Sequence, residues 1–177
     1  FFTRSTTNVR SAEVAAGIDR VEVVAVTQLG ADEMWMEPDG DMVLLNDRPP
    51  LQLDAVVHYA DGREFPVTAI VVHQRSLSGA EDADANGERV RAKRQRQAEY
   101  LAEQIQALQT ADPQHRIVVL GDFNAFEFND GLTDAMNVVT GTPTPDNETA
   151  VAGDGVDLVD PDLLNLYIEE PADQRYS

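Results

Sequence analysis

Cysteine is absent from this 177-residue chain, and histidine occurs only three times. Without a thiol there is no disulfide framework, no zinc–thiolate site and no cysteine nucleophile. A metal ion would therefore be bound by oxygen atoms or by imidazole. Long apolar runs are also missing, so the sequence predicts no membrane span. No basic-then-apolar signal opens the chain, which begins at Phe1, and secretion is left open.

Positive charge is scarce as well. Thirteen Lys and Arg residues face 32 Asp and Glu residues, which gives a formal net charge of −19. An excess of this size opposes broad contact with a nucleic-acid backbone and excludes a basic DNA-coating module. With 42% hydrophobic residues, the chain is long enough for one domain with a core and too short for two ordinary ones.

The first half of the sequence is patterned as strands. Branched apolar residues predict strands at 21–29, 51–59 and 64–73. An Asp-Gly dipeptide at 61–62 is typical of a tight turn, so the second and third strands should form a hairpin. The nearly continuous apolar run 69–72 predicts a central strand that is covered on both faces.

The second half is mostly helical in pattern. Helix formers and an apolar stripe predict a helix over 88–110, after a loop at 76–87. A buried strand follows at 116–120, then a short helix at 131–139 and irregular chain at 140–156. This order predicts an α/β (α+β) domain in which helices flank a mixed sheet.

The sharpest local signal follows the strand that ends near residue 120. Asp122 and Asn124 are two residues apart, so both side chains can project the same way. The carboxylate could accept a proton from water or hold a metal-bound water, and the amide could bind a phosphate oxygen or a hard cation. Gly121 would permit close backbone approach. A strand end closed by an Asx turn is the structural alternative.

A second polar group, His73, Arg75 and Ser76, lies at the end of the strand 64–73. An imidazole, a guanidinium and a hydroxyl together suit an anionic oxygen. The alternative is a structural histidine that is bonded to a neighbouring carbonyl or carboxylate. Because both strands belong to the same predicted sheet, we expect the two groups to be neighbours.

These residues resemble the endonuclease/exonuclease/phosphatase superfamily of metal-dependent phosphodiesterases. The stretch 121–125 is similar to the family's Gly-Asp-Phe-Asn motif, and 126–131 continues it in the style of large bacterial nuclease-like members. The stretch 73–76 is similar to a His-centred motif, in which His-Phe-Lys-Ser is the commoner form. Residues 44–51 and 89–98 also resemble that subgroup, so the likeness covers most of the chain.

The resemblance implies a four-layer sandwich of two mixed β-sheets flanked by helices. It implies that Asp122 activates water near a metal ion, that Asn124 positions the scissile phosphate and that His73 hydrogen-bonds a phosphate oxygen. Arg75 and Ser76 become candidate phosphate contacts. The implied metal is Mg²⁺ or Mn²⁺, with Ca²⁺ as an alternative. The expected activity is hydrolysis of phosphodiester bonds, as by a nuclease, in nucleic acid or another phosphoester. The subgroup points to a secreted or cell-envelope protein of bacterial origin.

Some elements of the family pattern are missing from the sequence. The upstream Asn and metal-binding Glu and the closing Asp-His pair are not found, and Gln28 stands where an acid would be needed. We therefore expect residues 1–177 to be a single partial domain that holds about half of the site. Residues of one site act as a unit, so little or no turnover is expected from it alone. Unpaired strand edges should also favour self-association.

Two alternatives remain open. On the same fold, the protein could be a phosphomonoesterase or lipid-phosphate phosphatase, or a non-catalytic binding or scaffold domain. The basic run 89–96 could contact phosphate, but its residues spread around the helix, which favours a solvated helix face.

Overall fold

The computed structural model describes residues 20–153, 155–171 and 173. In that part of the chain the strands are β1 (Val21–Gln28), β2 (Met34–Met36), β3 (Met42–Leu44), β4 (Leu51–His58), β5 (Glu64–His73) and β6 (Ile117–Asp122). The helices are α1 (Ala85–Ala111) and α2 (Ala135–Thr140), and 3₁₀ turns lie at Asp146–Glu148 and Leu166–Glu169. The mixture of helices and strands confirms the predicted fold class.

The main sheet has four strands in the order β1-β4-β5-β6. The first three strands pair antiparallel, whereas β5 and β6 pair parallel, so the sheet is mixed as predicted. A separate two-stranded sheet is formed by β2 and β3. The predicted hairpin is confirmed as the β4–β5 pair, in which Leu51 lies opposite Val71.

Helix α1 begins three residues before its predicted start. The side chain of Asp84 accepts a hydrogen bond from the Gly87 amide and caps the helix. The predicted loop is therefore shorter than 76–87. At the other end the Asp112 amide closes the last turn on Leu108, and Pro113 follows.

Helix α2 begins later than predicted. The carboxylate of Asp130 accepts hydrogen bonds from the amides of Leu132 and Thr133, which holds this segment in a turn instead of a helix. The helix runs from Ala135 to Thr140 and ends at Gly141.

The core lies between one face of the main sheet and the two helices. Its fully buried members come from β5, both helices and one later residue: Ile70, Val72, Ala98, Leu101, Ala102, Ile105, Ala135, Val138, Val139 and Val159. The strand β5 is central, as predicted, but only one of its faces is deeply buried within the described residues. Ala69 and Val71 on the other face are partly exposed, so the expectation of cover on both faces is wrong for this part of the chain.

Helix α1 is long enough to span a bilayer but carries many charged side chains. No helix in the described ranges combines the length and apolar character that crossing a membrane requires.

Candidate functional site

The two predicted polar groups meet at one end of the main sheet. His73, the last residue of β5, is the register partner of Asp122, the last residue of β6. The Gln74 amide then donates to the Asp122 carbonyl oxygen at 2.9 Å and extends the pairing by one more bond. Because the strands are parallel, both chains leave the sheet at the same edge. The expectation that the two groups are neighbours is confirmed for His73 and Asp122.

Gly121 permits this close approach of the two strands. Its φ is +131°, a backbone conformation that side-chain-bearing residues rarely adopt. A Cβ atom at this position would overlap the carbonyl oxygen of Val72 on β5. The glycine of the Gly-Asp-Phe-Asn stretch is therefore required by both its conformation and its surroundings.

His73 and Asp122 present their side chains to solvent as a pair. The His73 Nε2 atom lies 3.6 Å from Asp122 Oδ2, and the side chains are 47% and 60% exposed. This distance is longer than a hydrogen bond, so the two groups are close without being locked together. An incoming ligand could contact both without displacing a protein group between them.

Asn124 closes the turn after Asp122. Its φ is +49°, and its backbone amide donates to Asp122 Oδ1 at 3.0 Å. This hydrogen bond forms the Asx turn that the sequence offered as the structural alternative. Its side-chain Nδ2 donates to the Gln74 carbonyl at 2.9 Å. One of its two amide hydrogens is thus used to tie β6 to the chain beyond β5.

Helix α1 holds the chain that follows His73. Gln97 Oε1 accepts the Arg75 amide at 2.8 Å, and Arg94 Nη1 donates to the Arg75 carbonyl at 2.7 Å. The Gln74 amide and carbonyl are bound to Asp122 and Asn124. All four backbone polar groups of residues 74 and 75 are therefore satisfied, and the position of His73 is fixed from the sheet and from the helix.

The side chains of Arg75 and Ser76 are directed to other partners. Arg75 Nη1 lies 3.7 Å from Asp47 Oδ2, and Lys93 Nζ lies 2.9 Å from Asp47 Oδ1. Ser76 Oγ accepts a hydrogen bond from the Ser78 amide. Within the described residues, neither side chain forms a hydrogen bond or ion pair with His73, Asp122 or Asn124. Their role as phosphate contacts stays a prediction.

Two cations of the basic run are buried, so the prediction of a solvated helix face is wrong for them. Lys93 and Arg94 are 4% and 2% exposed. Arg94 also donates through Nε to Thr133 Oγ1 at 3.3 Å, which joins the chain after β5 to the turn before α2. Burial lowers the pKa of the Arg94 guanidinium from its ordinary value, while the charge of Asp130 acts in the opposite direction.

Sequence reasoning missed the residues that support the site. Asp47 lies in the stretch 44–51, and Arg94 and Gln97 lie in 89–98; both stretches are similar to the bacterial subgroup, but the resemblance assigns these residues no role. Within its charged run, Arg94 carries the pattern of a solvent-exposed residue. Their roles depend on contacts between distant segments, which a local pattern does not encode.

The described residues form no cluster of metal-ligating side chains. No group of three or more His, Asp or Glu side chains in those ranges is arranged to hold an ion. Asp122 offers one exposed carboxylate, and Mg²⁺ commonly uses one or two carboxylates together with water and substrate phosphate oxygens. Asp122 therefore fits a role as one ligand, with the other oxygens coming from outside this group.

Comparison with protein-family models, with curated proteins and with solved structures gives no significant match.

Proposed function

We propose that this chain is a metal-dependent phosphodiesterase, most specifically a nuclease, whose reaction takes place at the exposed His73–Asp122 pair. The single observation that carries the proposal is the register of β5 and β6, which puts an imidazole and a carboxylate 3.6 Å apart at adjacent parallel strand ends. The resemblance of both motifs to the endonuclease/exonuclease/phosphatase superfamily supports the same function. If the chain has the fold of that superfamily, the open face of the main sheet is the inner face of a four-layer sandwich.

The chemistry assigns a separate task to each side chain. The Asp122 carboxylate accepts a hydrogen bond from the attacking water and orients it, while the His73 imidazole donates to a phosphate oxygen. The new P–O bond forms as the bond to the leaving oxygen breaks. The water proton passes to Asp122 and then to solvent, and solvent protonates the leaving group.

Asn124 acts mainly as a positioning residue in this proposal. One amide hydrogen holds the Gln74 carbonyl, and the other is available for a phosphate oxygen. A bound Mg²⁺ or Mn²⁺ would be held in part by Asp122 and would stabilise negative charge on the phosphate oxygens.

A non-catalytic phosphate-binding domain is the second candidate. It is favoured by the absence, among the described residues, of three clustered metal ligands. A site with one carboxylate and one histidine can bind a phosphodiester yet lack most of the stabilisation that turnover needs. The two candidates differ in whether cleavage accompanies binding.

The test is hydrolysis and binding of thymidylyl-3′,5′-thymidine in Mg²⁺ or Mn²⁺, measured by chromatography and by calorimetry. Residues 1–177 alone should give at most slow cleavage, and Asp122→Asn and His73→Gln should lower it to the level of the buffer blank. His58→Gln and Asp61→Asn are matched controls, because both residues lie at the opposite end of the β4–β5 hairpin. They should leave the rate unchanged.

The outcomes separate the candidates. Binding that depends on Asp122 and His73 without any cleavage would favour the non-catalytic domain. Release of phosphate from p-nitrophenyl phosphate, with the dinucleotide intact, would favour a phosphomonoesterase. Dinucleotide binding and cleavage that are indifferent to both substitutions would overturn the proposal.

A further inference from the structure

Two phenylalanines are exposed just beyond the Gly-Asp-Phe-Asn stretch. Phe126 is 41% and Phe128 51% exposed. Their rings are stacked, with centroids 5.1 Å apart and planes 9° from parallel. Burial of a large aromatic side chain is strongly favourable in free energy. Two stacked rings that remain exposed therefore offer a flat apolar surface to a ligand.

Phe126 also lines a cavity beside the candidate site. The cavity has a volume of about 460 Å³, and its lining includes Asp122, Asn124, Met136 and Tyr167. Phe128 is not part of that lining, so it supports Phe126 from outside the cavity. The carboxylate of the proposed reaction and an aromatic ring thus share one concave surface.

The segment that carries the two rings is fixed by its neighbours. Asn129 Nδ2 donates to Thr144 Oγ1 and to the Glu148 carbonyl, both at 3.1 Å, and its Oδ1 accepts the Gly131 amide. The first two bonds anchor the residue next to Phe128 to the chain beyond α2, and the third closes a local turn. The aromatic surface is therefore formed before a ligand arrives, which lowers the entropy cost of binding.

We propose that Phe126 is a stacking platform for a nucleobase and that the substrate is single-stranded nucleic acid. This inference rests on the proposed function, because it places the phosphate of the same nucleotide chain at His73 and Asp122. Stacking on an aromatic side chain suits every base, whereas in a duplex both faces of a base are already covered. The cavity is of the size that accepts one small ligand group.

The negative charge of the chain favours base stacking over phosphate attraction as the source of affinity. The chain has a formal net charge of −19, and Asp122 and Glu127 both line the cavity. Attraction of the phosphate backbone is therefore weak, and each base must contribute through an uncharged contact. A sugar phosphate or a lipid phosphate has no flat aromatic group to place on Phe126.

The experiment compares two oligonucleotides that differ only in their bases. Tetrathymidylate and an abasic tetranucleotide with the same phosphates are titrated into the full chain in Mg²⁺, and binding is followed by calorimetry because a dye label could itself stack. We expect the bases to strengthen binding on the order of tenfold. Phe126→Leu should abolish this difference, and Phe126→Trp should keep it.

Tyr59→Leu is the matched control. Tyr59 is another exposed aromatic residue, but it follows β4 at the sheet end opposite His73. The Tyr59→Leu variant should keep the full difference in affinity between the two oligonucleotides. The affinity for the abasic oligonucleotide should be equal in all variants. Raising the salt concentration should weaken the binding of both oligonucleotides by the same factor. They carry the same phosphates, and the stacking contact carries no net charge.

The possible failures are distinguishable. Equal binding of the two oligonucleotides to the wild type, or an undiminished difference in Phe126→Leu, would overturn the platform and leave the proposed phosphodiesterase standing. Binding of neither oligonucleotide would overturn both the platform and the proposed function.

Discussion

Gly121 has the most constrained backbone position at the candidate site. Its positive φ and its contact with the Val72 carbonyl are two separate obstacles to any side chain. Gly62, in the β4–β5 turn, also has a positive φ, of +84°, but nothing lies within 4 Å of a Cβ built there. A side chain at Gly62 therefore meets only the conformational cost, whereas a side chain at Gly121 meets the conformational cost and the cost of steric overlap.

We predict that Gly121→Ala lowers the free energy of unfolding by about 3 kcal/mol, because strain and displacement of β6 from β5 add together. Gly62→Ala should cost only about 1 kcal/mol, from conformation alone. Urea denaturation of the three proteins measures both values. Equal losses in the two variants would show that the overlap with Val72 is relieved without cost.

At the level of single residues, the sequence predicted the polar side chains of the candidate site. His73, Asp122 and Asn124 stand out because polar side chains directly follow buried strands, and the structure brings them together. The hydrogen bonds of Asn124 to Gln74 and of Gln97 to Arg75 could not be predicted. Their partners are neighbours only through the folded chain, and glutamine in a helix carries no distinctive pattern.

Among the elements, α1 does more than cover the sheet. Arg94 and Gln97 lie one turn apart and bind the carbonyl and the amide of the same residue, Arg75. Gln97 also donates to the Leu45 carbonyl, so the helix joins the segment before β4 to the end of β5. Helix packing and site geometry are therefore coupled.

We predict that Arg94→Met destabilises the protein by about 2–3 kcal/mol. The substitution leaves the Arg75 carbonyl and the Thr133 hydroxyl without this donor in a buried setting. Arg89→Met is the control, since Arg89 lies on the same helix with a more exposed side chain and a weak ion pair to Glu37 at 3.6 Å. It should cost less than about 1 kcal/mol in the same urea titration. Equal effects would contradict the role assigned to Arg94.

Elements with a strong hydrophobic period were predicted well, and their ends less well. The β4–β5 hairpin and the body of α1 follow directly from the apolar pattern. The start of α1 depends on one side-chain bond of Asp84, and the start of α2 on the turn around Asp130. Such caps are set by single polar contacts, which compete closely in free energy.

At the scale of the whole molecule, the main sheet has one well-packed face and one face that no other described residues cover. Val118 and Leu120 on β6 are 49% and 44% exposed, and β6 is an edge strand among the described strands. Exposed apolar residues on an unpaired edge are a site for pairing with another chain. The expectation of self-association therefore has a definite location within the described residues.

We predict concentration-dependent association in sedimentation velocity, reduced by Leu120→Glu. A charge on the apolar face opposes its burial against a second copy. Met36→Glu adds the same charge at an exposed methionine of β2, in the separate small sheet, and should leave association unchanged. A wild-type chain that sediments as a monomer at all concentrations would contradict this prediction.

The parallel pairing of β5 and β6 also bears on the order of folding. The bond from Asn124 to Gln74 joins residues fifty positions apart, and α1 lies within the intervening loop. Closing so long a loop is slow compared with forming the β4–β5 hairpin or the helix. We therefore expect the His73–Asp122 pair to come together after both local elements have formed, so that the site would report the last contacts to form.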